Sequence, residues 1–179
     1  MLVHRSIVYA LASAALFGAS TPLAKLLLSD AAPLMVAGLL YLGSGVGLAA
    51  WLGLRALSAG ATRASPIGRG AWPWLAGAIA AGGVAGPALL MYGLARTDGS
   101  AASLLLNLEA VLTAAIAWLV FRENVDRRIF LGMAAIVAGG VLLSWDQTPR
   151  AGGLAGPLLV AAACLAWAVD NNLTRKVSG

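Results

Sequence analysis

LLLNLEAVLTAAIAWLV, residues 104–120, carries one amide, Asn107, and one carboxylate, Glu109, in a run that is otherwise almost wholly apolar. Its length is close to the ~20 residues an α-helix needs to cross the hydrocarbon core of a bilayer. The rest of the chain decides whether that is its role. Of 179 residues, 60% are hydrophobic and 11% are charged, whereas soluble domains run at about 45–50% and 25%. A soluble core of this length does not hide that much apolar surface, so the natural solvent is lipid. Glu109 is then a charge at membrane depth.

Six apolar runs stand out, at 7–28, 32–54, 72–95, 100–121, 129–145 and 154–173. Backbone in lipid must satisfy its own hydrogen bonds, so spanning segments of this length are helices. A membrane barrel would alternate polar and apolar residues, and no such alternation is visible. The fold class is therefore an all-α polytopic helix bundle with six transmembrane helices. The first run resembles a signal peptide, with Arg5 before it and GAS at 18–20. It continues unbroken from Ile7 to Leu28, long enough to span. Residues 55–71 form the one longer polar loop.

The net charge of +5 is spread between the apolar runs and forms no nucleic-acid patch. With the N-terminus cytoplasmic, Arg5, Arg55, Arg63, Arg69, Arg122, Arg127, Arg128, Arg175 and Lys176 fall inside, and only Lys25, Arg96 and Arg150 fall outside. Basic residues are retained on the cytoplasmic side, which selects this orientation in a cell inner membrane. Trp51, Trp72, Trp74 and Trp118 gather at the inner ends and Trp145 marks an outer end, as aromatic belts do.

Chemistry is sparse. The single cysteine, Cys164, lies in an apolar run and reads as a packed residue; His4 is the only histidine. No metal-ligating set, cofactor motif or phosphate-cradling loop is present, which leaves neither an ATPase nor a metallohydrolase. GSGVG at 43–47 lies inside a span without a preceding strand, so packing is its role. Gly43 with Gly47, Gly82 with Gly86, and Ala135 with Gly139 are four apart, a spacing that lets helices approach closely. Pro22 and Pro87 lie inside spans, where proline removes a backbone donor and kinks the helix or is absorbed by packing.

LFGASTPLAK at 16–25 compares with AWAVDNNLTR at 166–175: Phe17 matches Trp167, Leu23 matches Leu173, and Lys25 matches Arg175. The match restarts after five spans. Five is odd, so a second copy enters the membrane inverted, the plan of many secondary transporters. On this reading the 179 residues hold one repeat and the first helix of the next, and a complete carrier runs to about 300 residues.

LLLNLEAVLTAAIAWLVFRENVDRRIFLGMAAIVAGGVLL, 104–143, and ACLAWAVDNNLTRK, 163–176, resemble the EamA-type transporters of the drug/metabolite transporter superfamily. Residues 104–143 are similar to that family's fourth span, cytoplasmic turn and Gly-rich fifth span. Residues 163–176 are similar to the start of its other repeat. The family often has proline after the membrane glutamate, where this chain has Ala110. That departure bears on a helix break at that point, not on the family. The resemblance implies a first repeat over 1–146, the start of a second over 151–179, and a ten-helix inner-membrane permease or exporter. Its solutes would be small metabolites, amino acids or drugs, moved by alternating access without a cofactor. A small helical membrane subunit, or an exporter that works as an oligomer, is the alternative.

The partners are lipid and a small-molecule substrate, with a coupling proton as a further candidate and no nucleic acid. Glu109 is the leading site residue, because a charge at the bilayer centre costs about 2.5–3.5 kcal/mol on insertion scales and is functional by default. A structural carboxylate bonded to a neighbouring helix is the competing reading. Thr113 shares its helical face, while Asn107 falls nearly opposite, beside Ser103, and is expected to serve another surface. Tyr41 and Tyr92 are candidates for stacking on a substrate, and Ser20 and Asp170 are polar residues near span ends. Lys25 is expected to snorkel to the outer interface. Orientation is open to test with cysteines placed at 63 and 150 in a Cys164→Ser background. An impermeant thiol reagent outside intact cells is expected to label 150 and spare 63; the reverse pattern overturns the orientation.

Overall fold

The computed structural model describes residues 2–58, 67–124, 126–144 and 153–178, and every regular element among them is helical. Among the described residues, five stretches are long and apolar enough to cross a bilayer: Ile7–Leu27, Pro33–Leu57, Arg69–Ala95, Gly99–Leu119 and Ala155–Ser178. The chain is an all-α, multi-pass membrane protein. Where the sequence places a fifth span, at 129–145, there is a helix over Arg127–Ser144, but it is not among those five. Its first two residues are arginines. Arg63, Trp145 and Arg150 lie outside the described residues.

Helices α1 (Leu2–Leu27) and α2 (Pro33–Ser58) are continuous. Pro22 sits inside α1 without ending it, and Pro33 opens α2, where its missing N–H costs nothing. The third span is not continuous. It comprises a 3₁₀ turn at Arg69–Ala71, α3 (Trp72–Ala78), a π-helical segment Ile79–Ala85 and α4 (Gly86–Ala95). The cause lies in GGVAGP, 82–87. Pro87 has no N–H to donate, and the N–H of Gly86 reaches back five residues to the Ala81 carbonyl. The carbonyl of Gly82 thereby loses the Gly86 partner it would have in an α-helix, and Pro87 offers no replacement one residue on.

The fourth span is also interrupted. It runs as α5 (Gly99–Leu105) and α6 (Leu108–Leu119), with a turn at Leu106–Asn107. Helix α7 (Arg127–Ser144) follows, then α8 (Ala155–Ser178).

Helix α8 lies against α3, the π segment, α4, α5 and α6. Its buried face, Val160, Ala163, Cys164 and Ala168, forms the core with Leu94, Met91, Ala102 and Leu106. Against the third span the fit is too close for side chains on both partners. A Cβ on Gly93 would come 2.7 Å from Val160 Cγ2, and one on Gly86 would come 2.6 Å from Trp167 Nε1. Gly82 abuts Asp170, Gly77 abuts Leu173, and Gly156 on α8 abuts Thr97. One position falls in the third span as the other rises in α8, so the two run antiparallel along a glycine seam. The expected closeness of Gly82 and Gly86 is thus realised, and it extends to Gly93. Gly43, Gly47 and Gly139 have open space where a Cβ would go, so their spacing makes no tight contact.

Away from the seam, α1, α2 and α7 turn large apolar residues outward, among them Leu16, Leu48 and Leu131. In a bilayer that surface meets lipid at no cost, and helices associate instead through close packing and hydrogen bonds. Replacing Gly93 by alanine should therefore destabilise by about 1–3 kcal/mol, the usual cost of overpacking, while Gly43→Ala should stay within about 0.5 kcal/mol of the parent. Thermal unfolding in detergent distinguishes the two. Equal stabilities would mean that the seam is not tightly packed.

Candidate functional site

The turn in the fourth span builds the site. The Asn107 amide donates back to the carbonyls of Leu104 (3.1 Å) and Ser103 (3.4 Å), competing with the backbone for those acceptors. The N–H groups of Asn107 and Glu109 bond three residues back, to Leu104 and Leu106, which tightens the chain there. A straight α-helix would put Asn107 and Glu109 on opposite faces. With the turn between them, both line one cavity of about 620 Å³, together with Thr113, Asn171, Glu123 and Arg175. The expectation that the two residues serve different surfaces is overturned by this local break, which comes before Glu109 and not at Ala110.

Glu109 is near the middle of its span and half-buried. Its Oε1 accepts a hydrogen bond from Asn171 Nδ2 on α8 at 3.0 Å, and the same amide donates to Thr113 Oγ1 at 3.3 Å. Asn172, the next residue, is buried. Its Nδ2 donates to the carbonyls of Thr113 (3.1 Å) and Ala168 (2.8 Å), and its Oδ1 has no partner. The string DNN at 170–172 thus divides its work. Asn171 presents an amide to the cavity, Asn172 ties α8 to α6, and Asp170 accepts from Thr174 and borders Gly82.

At the far end of the cavity, Arg122 adopts a left-handed backbone (φ 55°) and the N–H of Glu123 returns to the Ala117 carbonyl. This turn brings the Glu123 carboxylate against the Arg175 guanidinium. Lys176 lies over the Phe121 ring, 5.1 Å from its centre. Both members of the ion pair are well exposed, so it contributes at most about 1 kcal/mol. Glu109 is therefore not remote from every cation, because Arg175 lines the same cavity.

The remaining candidates are elsewhere. Ser20 and Tyr41 line a second cavity of about 790 Å³ between α1, α2 and α4, with Phe17, Thr21, Pro87 and Trp167; among the described residues none that lines it is charged. The Ser20 hydroxyl donates back to the Phe17 carbonyl. The Tyr41 hydroxyl donates to the Gly82 carbonyl (3.1 Å), and Trp167 Nε1 donates to the same oxygen (3.1 Å). Tyr92 and Asp170 line neither cavity. Tyr92 lies under the guanidinium of Arg96, which also donates to its carbonyl. Lys25, at the end of α1, donates to the carbonyl of Leu94 in the last turn of α4, where the helix dipole favours a cation. Sequence reasoning missed Asn171 and Trp167 as contacts. The recurrence of the 16–25 pattern at 166–175 marks their segment but assigns neither a partner.

Comparison with known proteins places most of the chain in a family. The model of the EamA-like transporter family matches residues 4–145, and the chain belongs to that family. An uncharacterized transporter of Methanothermobacter thermautotrophicus is 33% identical over 99 residues, a stretch covering 53% of this chain and 29% of the relative. No solved structure matches.

Asn171 and Asn172 separate site from scaffold. Asn172→Ala removes a buried amide that donates to the Thr113 and Ala168 carbonyls and should cost about 1–3 kcal/mol in unfolding, the scale of two hydrogen bonds. Asn171→Ala, at an exposed amide, should cost less than about 1 kcal/mol. Melting curves of the two variants in detergent check this, and an inverted order would show that their roles are exchanged.

Proposed function

We propose that this chain is the first repeat, and the start of an inverted second, of a secondary carrier that moves small metabolites, amino acids or drugs across the inner membrane by alternating access. The N-terminus is cytoplasmic. The family match over 4–145, which ends before α8, supports this division. So does the interruption of both central spans, since broken helices border the sites of such carriers.

One observation carries the assignment of the site. Glu109, at membrane depth, opens on a cavity instead of being sealed in a pair, and it is held by a neutral amide donor rather than by a cation. An acidic oxygen presented this way accepts hydrogen bonds from a cationic group of a solute, or takes up a coupling proton. Thr113 and Asn107 supply neutral polar atoms to the same cavity. Tyr41 and Ser20 belong to the second, uncharged cavity, which suits the apolar part of a solute.

The test uses the complete gene product in proteoliposomes, offered a panel of amino acids, amines and cationic dyes, with uptake read by mass spectrometry. Cationic members should accumulate. Glu109→Gln, which keeps shape and hydrogen bonding, should abolish that uptake or remove its pH dependence while the yield of folded protein stays near the parent's. Normal transport by Glu109→Gln with an unchanged pH profile would make the charge structural.

A further inference from the structure

We infer that Trp167 is a positioning residue for the Glu109 cluster: its indole N–H, bonded to the Gly82 carbonyl, fixes the rotation of α8 that aims Asn171 at Glu109. The inference rests on reading Glu109 as the solute-binding carboxylate.

Trp167 and Asn171 are one helical turn apart, on the same stripe of α8. Trp167 faces the third span and Asn171 reaches the fourth, so α8 is gripped from both sides of one groove. The Trp167 grip has unusual rigidity for two reasons. Its acceptor is a backbone oxygen, which has no rotamers, freed by the π segment and by Pro87. Its ring also lies against Gly86, where a side chain as small as alanine would collide with it. The indole therefore has one seat, and the oxygen it meets there is shared with the Tyr41 hydroxyl. Asn171 lacks such a seat. It is exposed, and its single amide nitrogen is shared between Glu109 and Thr113. Its aim is inherited from the helix that carries it. At a side-chain radius of about 5 Å, a rotation of roughly 20° moves a side-chain tip by roughly 2 Å. That is enough to break the 3.0 Å bond to Glu109.

Dicyclohexylcarbodiimide modifies carboxyl groups within membranes, and its adduct at Glu109 can be quantified by mass spectrometry of the purified chain, with Glu109→Gln as the blank. The Asn171 amide occupies one oxygen of that carboxylate, so Asn171→Ala should raise the modification rate about three- to tenfold, the scale of one hydrogen bond. Trp167→Phe should raise it by a similar factor. Replacing Trp167 by benzothienylalanine, which keeps the bicyclic shape and exchanges the N–H for sulfur, should do the same. Combining either change with Asn171→Ala should give no further increase. A benzothienylalanine protein modified at the parent rate would overturn the inference, whether or not Trp167→Phe is accelerated. So would effects that multiply in the double variant, or an Asn171→Ala rate equal to the parent's. The measurement needs no transported solute, so it fails or succeeds separately from the transport test of Glu109.

Discussion

The core of this protein depends on one backbone carbonyl, that of Gly82, which its own helix leaves unpaired. In lipid an unsatisfied carbonyl costs several kcal/mol, because no water reaches it. The third span frees the Gly82 oxygen through its π segment and Pro87, and the fourth breaks at Leu106–Asn107. Helix α8 reaches both places. Trp167 donates to Gly82, which also accepts from Tyr41 on α2, and at the fourth-span turn the Cys164 thiol lies 3.5 Å from the Leu105 carbonyl and 3.9 Å from that of Leu106; Asn172 adds a second donor to the Thr113 carbonyl within α6. Each bond gains little, since hydrogen bonds between membrane helices average about 0.6 kcal/mol. The larger quantity is the penalty avoided. The interrupted spans are tolerable where α8 is docked, and the glycine seam lets it come close enough to donate.

That arrangement links packing to function. Interruptions in spans three and four place polar atoms at membrane depth, and α8 crosses both interruptions. On one side of it lies a cavity with a carboxylate, amides and an ion pair. On the other lies a cavity of hydroxyls and aromatic rings without charge. The exposed Glu123–Arg175 pair is energetically minor, but it brings the chain end of α6 and the last turns of α8 to the mouth of the charged cavity. Helices α1 and α2 meet this core with few buried residues and border the uncharged cavity.

How much of this the sequence discloses varies from residue to residue. Helical spans follow from apolar length, and so does Glu109 as a residue of interest, because a charge at membrane depth is conspicuous in any reading. Pro87 announces a disturbance in the third span, though not that it takes the form of a π segment. The turn at Asn107 is not legible. An asparagine can bond to solvent, to a neighbour or back to its own carbonyls, and only the third choice breaks the helix. Because the helical wheel assumes no break, it puts Asn107 on the wrong surface. Asn171 and Trp167 are opaque for a different reason. Their partners lie 62 and 85 residues away in the chain, so no local pattern reveals them.

The central claim is that an α8 side chain satisfies the freed Gly82 carbonyl, and the Trp167 indole tests it most directly. The chain has six tryptophans, so the Trp167 resonance in a ¹⁵N–¹H spectrum of the micelle-solubilised protein can be assigned by its disappearance in Trp167→Phe. After transfer to D₂O, the Trp167 indole signal is expected to persist well beyond that of Trp72, which is 57% exposed. If the two indoles lose their protons together, Trp167 is not bonded to Gly82, and the third span is left to the Tyr41 hydroxyl instead of α8.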